Sequence, residues 1–236
     1  MRILALDTSG QTASVALWED GLIRGEMTLN TKTNHSRTIM PMVEDVLRFT
    51  EAEAKTLDYI ACAAGPGSFT GLRIGAATAK GLAHGLNIPV LPVPTLDALA
   101  YNVCEVDGII CPIMDARRQQ VYTAFYEAEK GLCRKLSEDT AEDIRATAQK
   151  AKELGKSILF LGDGVPVYRG VLEALDEKGQ FSFAPAHQMY QRAACVAMAA
   201  AAHLDRAIKP HAFVPEYLRL SQAERERAEA AKEAKA

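Results

Sequence analysis

No stretch of this sequence is long and apolar enough to cross a membrane. The longest apolar run, AACVAMAAAAHL at 193–204, falls well short of the ~20 residues that a spanning helix needs. An excess of one charge is missing too. Lys and Arg number 27 against 30 Asp and Glu, a net charge of −3, which excludes a free-standing nucleic-acid binder because neutralising phosphates takes a concentrated positive surface. If RNA is involved, another chain holds most of it. The five cysteines are odd in number and include no C-x-x-C; three lie in apolar runs, so they read as small core residues in a reducing compartment rather than as a catalytic thiol. The five histidines show neither H-x-x-x-H nor H-E-x-x-H, which leaves no zinc-type cluster and no metal to expect. No G-x-S-x-G presents a serine, and no glycine leads into the Lys-Ser or Lys-Thr of a nucleotide-binding P-loop. MRILALDTSG meets Asp7 too soon for a signal peptide, so a cytoplasmic location is expected.

What is present is the patterning of an α/β protein. RILALD reads as a buried strand and TASVALWED as a second; Asp20-Gly21 is a hairpin turn before a third strand, LIRGEMTLN. A helix is predicted over 36–50 with Pro41 in its first turn, then a strand DYIACAAG, and a helix capped by Ser68 or Thr70 that runs to 84 and stops on Gly85. IPVLPV is a fifth strand, and TLDALAYNVC opens a third helix. The second half repeats the plan of strand, aspartate, polar turn, strand in IICPIMDARRQQVYTAFYEA, followed by helices at 141–152, 167–177 and 192–206 and a strand SILFLG. Two related lobes are expected, 1–104 and 105–220, followed by a charged helical or frayed tail at 221–236.

Three features are candidates for function. The first is AAGPGSFTGLRIGAATAKG at 63–81. It misses the third glycine of a dinucleotide fingerprint and has no acid ~20 residues on, so phosphate binding there is a poor fit. Gly71, Gly75, Ala79 and Ala83 instead recur every four residues as a smooth ridge that permits close helix packing, against either a helix of this chain or a partner's. The second is a doubled apolar stripe on the preceding helix. Ile39, Met42, Val46 and Phe49 form one stripe and Met40, Val43 and Leu47 the other, where a surface helix needs one. Together these suggest a partner surface comprising His35, Met40, Val43, Leu47, Gly71, Leu72, Gly75 and Ala79. The third is Asp7 with Thr8 and Ser9 at a strand end, a partial site for ATP or ADP with Mg²⁺; its counterpart Asp115 reads as the cap of a tight turn.

ALDTS, HSRTIMPMVEDVL, AAGPGSFTGLRIGAATAKGLAHGLNIPVLPVPTLDALA and PEYLR together resemble the TsaB (YeaZ) family of bacterial proteins over almost the whole chain. The resemblance implies the two-lobed actin and hexokinase (ASKHA) fold, and likeness to TsaD, which places threonylcarbamoyl on the adenosine beside the anticodon. TsaD holds its metal with a histidine pair; here Thr95 and Leu99 fall at those places, and neither makes a metal site. The implied role is a non-catalytic subunit that binds TsaD through the helices of the first lobe, joined by the ATPase TsaE, with a homodimer as the alternative state of the lone chain and no required cofactor. Two other classes stand beside it: a glycoprotease-like peptidase, for which neither metal pair nor serine elbow is present, and a small-molecule kinase, whose one candidate adenosine loop is GDGVPVY at 162–168.

Overall fold

The computed structural model describes residues 1–31 and 34–219. The first lobe contains β1 (Arg2–Asp7), β2 (Ala13–Glu19), β3 (Leu22–Leu29), α1 (His35–Phe49), β4 (Tyr59–Gly65), α2 (Phe69–Leu86), β5 (Val90–Pro94) and α3 (Thr95–Ala100). Its sheet runs β3-β2-β1-β4-β5, antiparallel on the meander side and parallel from β1 to β5. The Asp20-Gly21 turn has φ of 46° and 91°, the double positive φ of a type I′ hairpin, whose twist matches the strands it joins.

The second lobe is built from β6 (Ile109–Asp115), β7 (Gln120–Thr123), β8 (Tyr126–Glu129), β9 (Leu132–Lys135), β10 (Thr140–Asp143), α4 (Ile144–Glu153), β11 (Ile158–Leu161), α5 (Val165–Leu175) and β12 (Phe181–Phe183). Its order, β10-β7-β6-β11-β12, is the order of the first lobe strand for strand, with β8 and β9 added as a side hairpin. The repeat read from the sequence is therefore a repeat of topology.

The expected boundary between the lobes needs correction. α6 (Ala193–Ala201) follows the second lobe in sequence but packs on the first. β1 is buried on both faces. Leu4 and Leu6 point to the core under α1 and α2, while Ile3 and Ala5 join Ala16, Ala61 and Ala63 against α6. The sheet presents mostly small side chains on that second face, so an alanine-rich helix can lie close to it, and α6 is buried nearly all round. Ile208 then pairs with Val90, and Phe213 enters the core of α1 and α2. The first lobe is thus 1–104 completed by residues 193–213.

Smaller differences have local causes. α1 starts one residue early because the Asn34 side chain accepts from the Ser36 N–H; Pro41, expected in the first turn, lies well past it in the helix interior, on the exposed side where the carbonyl it leaves unpaired can turn to water. α2 runs past Gly85 and stops on Asn87, which takes the left-handed conformation at φ 55°. The predicted helix at 141–152 begins as β10, because Ala141–Asp143 pair with β7 before Asp143 caps α4. The helix expected over 192–206 ends at Ala201, with a separate short turn at Leu204–Arg206. The charged tail expected at 221–236 lies outside the described residues.

Candidate functional site

The two lobes face each other across a cleft of about 530 Å³, of ligand size, whose floor is made by the ends of β1 and β6 and the turn after β11. Asp7 ends β1 and is almost wholly buried. Its Oδ1 accepts from the Ser9 N–H at 2.8 Å and the Ser9 Oγ at 2.6 Å, while Oδ2 has no partner among the described residues. Burial pushes the Asp7 carboxyl up to about 6, against the opposing pull of the Ser9 hydrogen bonds and His35. Thr8 turns away and donates to the Gly71 carbonyl at 2.7 Å. The Thr8 and Ser9 hydroxyls are therefore engaged inside the protein, and of the three candidate phosphate contacts Asp7 alone keeps an unpartnered oxygen, itself buried.

Asp115 ends β6 and behaves as a turn cap. Its Oδ1 accepts from the Arg117 N–H at 2.9 Å and from the Tyr168 hydroxyl at 3.0 Å. The turn it caps holds Arg117, Arg118 and Gln119 at φ of 65°, 55° and 61°, three consecutive non-glycine residues in the left-handed region, each at a steric cost.

Two further polar residues were not singled out in the sequence: Asp163, which lines the cleft, and Gln191, which is buried outside that lining. Asp163, in the turn after β11, accepts from the Asp115 N–H at 3.2 Å, and burial, reinforced by Asp115 and Asp7, pushes its carboxyl up to about 6. Gln191, 1% exposed, lies against Gly10, where a Cβ would come within 2.5 Å of its Nε2; that nitrogen has no partner among the described residues. The signal for Asp163 was its place after an apolar strand, as for Asp7 and Asp115. Gln191 carried no such signal, because its role exists only when the chain folds back on the first lobe. The cleft lining thus includes the carboxylates of Asp115 and Asp163, while Asp7 and Gln191 are buried outside that lining, each with one polar atom that has no hydrogen-bond partner among the described residues. Among the described residues no group of three or more His, Cys, Asp and Glu is set to hold a metal ion.

The glycines of GDGVPVY serve packing. A Cβ at Gly162, φ 105°, would lie 2.2 Å from the Ile113 carbonyl, and the Gly164 N–H bonds that same carbonyl at 3.0 Å. Leu99 packs beneath Gly162 in the second-lobe core, and Thr95 Oγ1 accepts from the Gly65 N–H at 3.1 Å. Cys62, Cys111 and Cys195 are buried, and burial raises all three thiols, Cys111 and Cys195 to about 12, so they are unreactive core groups.

The expected partner surface is largely interior. A Cβ at Gly71 would meet the Thr8 carbonyl at 2.0 Å, and one at Gly75 would meet Thr8 Oγ1 at 2.5 Å and Cys62 Sγ at 3.3 Å. The ridge lets α2 press onto the ends of β1 and β4 of its own chain, and Leu72 and Ala79 are buried with it. On α1 the core stripe is Ile39, Met42, Val43 and Val46. Val43 therefore belongs inside, and Phe49, 71% exposed, does not. Leu47 is half-buried against the core, and His35 is half-buried with Nε2 3.0 Å from the Gly10 carbonyl. Met40 remains on the outside. The outer face of α2 carries a second row of small residues at the same four-residue spacing, Ala77, Gly81 and Gly85; nothing described lies within 4 Å of a Cβ at Gly81 or Gly85.

The family model described as "TsaD: tRNA N6-adenosine threonylcarbamoyltransferase" matches residues 23–227. The chain is 37% identical over 225 residues to the tRNA threonylcarbamoyladenosine biosynthesis protein TsaB of Bacillus subtilis, covering 95% of this chain and 96% of that one. It is 39% identical over 132 residues to the Escherichia coli protein of the same name, 55% and 57% of the two chains. Among solved structures, a Pseudomonas aeruginosa protein described as similar to peptidase YEAZ superposes with a TM-score of 0.80 at 27% identity, over 92% of this chain and 99% of that one. Component A of the (R)-2-hydroxyglutaryl-CoA dehydratase of Acidaminococcus fermentans, an ASKHA member, matches at a TM-score of 0.50 and 13% identity over 87% and 99%, a likeness of fold.

Proposed function

The chain belongs to the TsaB (YeaZ) family, and on that premise we propose that it is a non-catalytic subunit in threonylcarbamoylation of the adenosine beside the anticodon, in tRNAs that read codons starting with A. In this reading it binds and activates TsaD, and TsaE joins the pair. The observation that carries the reading is the chemistry at Thr95 and Leu99. Where the resemblance puts TsaD's metal pair, this chain has a hydroxyl already bonded to the Gly65 N–H and a leucine buried in the core. Leucine has no atom to offer a metal, and Thr95 could turn to one only by giving up its bond to the Gly65 N–H.

The docking surface is the outer faces of α1 and α2, with Met40 and the row Ala77, Gly81 and Gly85 as its smooth, apolar part; a second copy of the chain uses the same face when TsaD is absent. Lacking positive surplus, the chain meets tRNA through the complex. No cofactor is required. ATP or ADP with Mg²⁺ binds weakly at the cleft, because Asp7 Oδ2, the one unpartnered acceptor in the expected phosphate contact, is buried outside the cleft lining and can act on the ion only through water. The absence, among the described residues, of a helix long and apolar enough to cross a membrane is compatible with a site of action in the cytoplasm.

Reconstitution tests this. Purified chain alone should give no modified tRNA, TsaD with TsaE should give little, and adding the chain should restore turnover and co-elute with TsaD. Full activity of TsaD and TsaE without it, or turnover by the chain alone that is lost on mutating one of its residues, overturns the proposal.

A further inference from the structure

The last described segment, Pro215–Arg219, crosses from one lobe to the other at the mouth of the cleft. Its approach is anchored on the first lobe. Phe213 is buried in that core, and Lys80 of α2 donates to the Phe213 carbonyl at 3.0 Å. The Glu216 N–H then donates to the Ala64 carbonyl at 2.7 Å, at the end of β4. Gly65 is needed there twice over, since its φ is 124° and a Cβ would sit 2.1 Å from the Glu216 carbonyl oxygen. Tyr217 stacks on Phe69 with ring centres 4.5 Å apart and planes 7° from parallel, and Arg73 donates from Nε to its hydroxyl at 3.3 Å. Two residues later Arg219 leaves the first lobe and donates from Nη1 to the Ala116 carbonyl of the second at 2.6 Å. Arg219, Phe69 and Ala116 all line the cleft.

The lobes have another polar joint outside that lining. Asp97 of α3 accepts from the Tyr126 hydroxyl at 2.7 Å and from Lys135 Nζ at 2.9 Å. Beside α3 the second lobe is therefore held by a buried tyrosine, a half-buried lysine, the Asn102 side chain donating to the Tyr190 carbonyl at 2.8 Å and the apolar side chains of Leu96 and Leu99, whereas at the mouth of the cleft the strap adds one guanidinium. The two joints differ in how easily they open. The Asp97 joint is largely enclosed and loses a paired charge if it separates, whereas the Arg219 bond is made to a neutral carbonyl from a side chain that water can solvate.

We propose that Pro215–Arg219 is a latch. Glu216 and Tyr217 fix it to the first lobe, Arg219 closes it on the second, and release of the Arg219–Ala116 bond lets the lobes part about the Asp97 joint and opens the cleft. The strap is part of the chain, so the latch acts in cis and the proposal stands whether or not the chain serves TsaD.

Hydrogen exchange read by mass spectrometry on the full-length protein tests it without ligand or partner. Arg219→Ala should speed exchange about tenfold or more at the amides of 114–120 and 67–69 around the cleft, with exchange in β1, β4 and α6 unchanged. Tyr217→Ala, which frees the strap at its other end, should give the same pattern. Arg219→Lys keeps a donor of the right charge and should restore most of the protection. Exchange in 114–120 equal to that of the parent in both alanine variants overturns the latch. Uniformly faster exchange through both lobes also overturns it, by showing a loss of overall stability in place of a local opening.

Discussion

The two lobes share one strand order and differ in what their first strands end on. β1 delivers Asp7 into a buried position with one oxygen open, whereas β6 delivers Asp115 into a turn that uses its Oδ1 twice, at the Arg117 N–H and the Tyr168 hydroxyl. A second difference lies in the helices. α2 has a small-residue row on each side, one pressed on its own strands and one facing outward, while α5 of the second lobe packs by larger groups such as Val165, Tyr168 and Leu172. A repeated topology therefore says where chemistry could be placed and leaves open which copy carries it. The side that keeps an unsatisfied atom or an uncovered smooth face is the side with a task left over.

The largest expected effect separates the two rows of α2. Gly75→Arg drives a charged side chain into Thr8 and Cys62, and should cost more than the ~1–3 kcal/mol typical of overpacking, giving insoluble or poorly folded protein. Gly81→Arg places the same side chain in open space and should melt like the parent while failing to co-elute with TsaD. Thermal melts beside size-exclusion chromatography read both. A folded Gly75→Arg protein would show that the inner row is not core, and a Gly81→Arg protein that still binds would remove the outer row from the interface.

A middle-sized effect should distinguish Asp7 by its pH dependence. Its folded pKa, about 6, lies above the ordinary carboxylate value, so the folded state favours its protonated form; the associated stability is complete below the unfolded pKa and is lost as pH rises through about 6. Asp7→Asn removes the ionisation, and should stabilise the protein by ~1–3 kcal/mol at pH 7.5 relative to its effect at pH 4. Asp163, raised to about 6 by the same burial, remains to give part of the slope. Melting temperatures of parent and variant that stay parallel from pH 4 to 8 would mean that Asp7 ionises as freely as a surface carboxylate.

The smallest effect belongs to Asp115. Asp115→Ala loses hydrogen bonds to Arg117 and Tyr168 and should cost ~1–2 kcal/mol in chemical denaturation. Weak ATP or ADP binding measured by calorimetry should persist in it and fall in Asp7→Ala. Equal losses in the two variants would make the cleft floor symmetric and cancel the contrast between the lobes.

Much of this was legible in the sequence. Local chemistry announces itself: alternation marks β2, Asp20-Gly21 sets a hairpin, Ser68 caps α2, and strand-ending aspartates reveal the repeat. Family resemblance carried the fold, because GPGSFTGLRIG is specific where composition is not. What stayed hidden was direction. A four-residue spacing of glycine and alanine shows that a close approach occurs and not toward what, so the ridge at Gly71 and Gly75 looked like a surface until Thr8 appeared against it. On α1 the core takes Val43 in place of Phe49, because Ile39, Met42, Val43 and Val46 form one face at helical spacing and Phe49, the last residue of the helix, stands exposed at its end. Gln191 was illegible because its partner, Gly10, lies far away along the chain and no periodicity links them.

The return of the chain to the first lobe also sets an order of events during synthesis. Ile3, Ala5, Ala16, Ala61 and Ala63 are made early, and the helix that covers them, α6, begins at Ala193. At a ribosomal pace of ~5–20 residues per second, that face waits roughly 5–20 s after residue 104 for its cover. Throughout that interval the nascent first lobe is an open sandwich with a sticky, alanine-lined side. The second lobe must emerge before the first can finish, so the half that is made first is the half that completes its fold last.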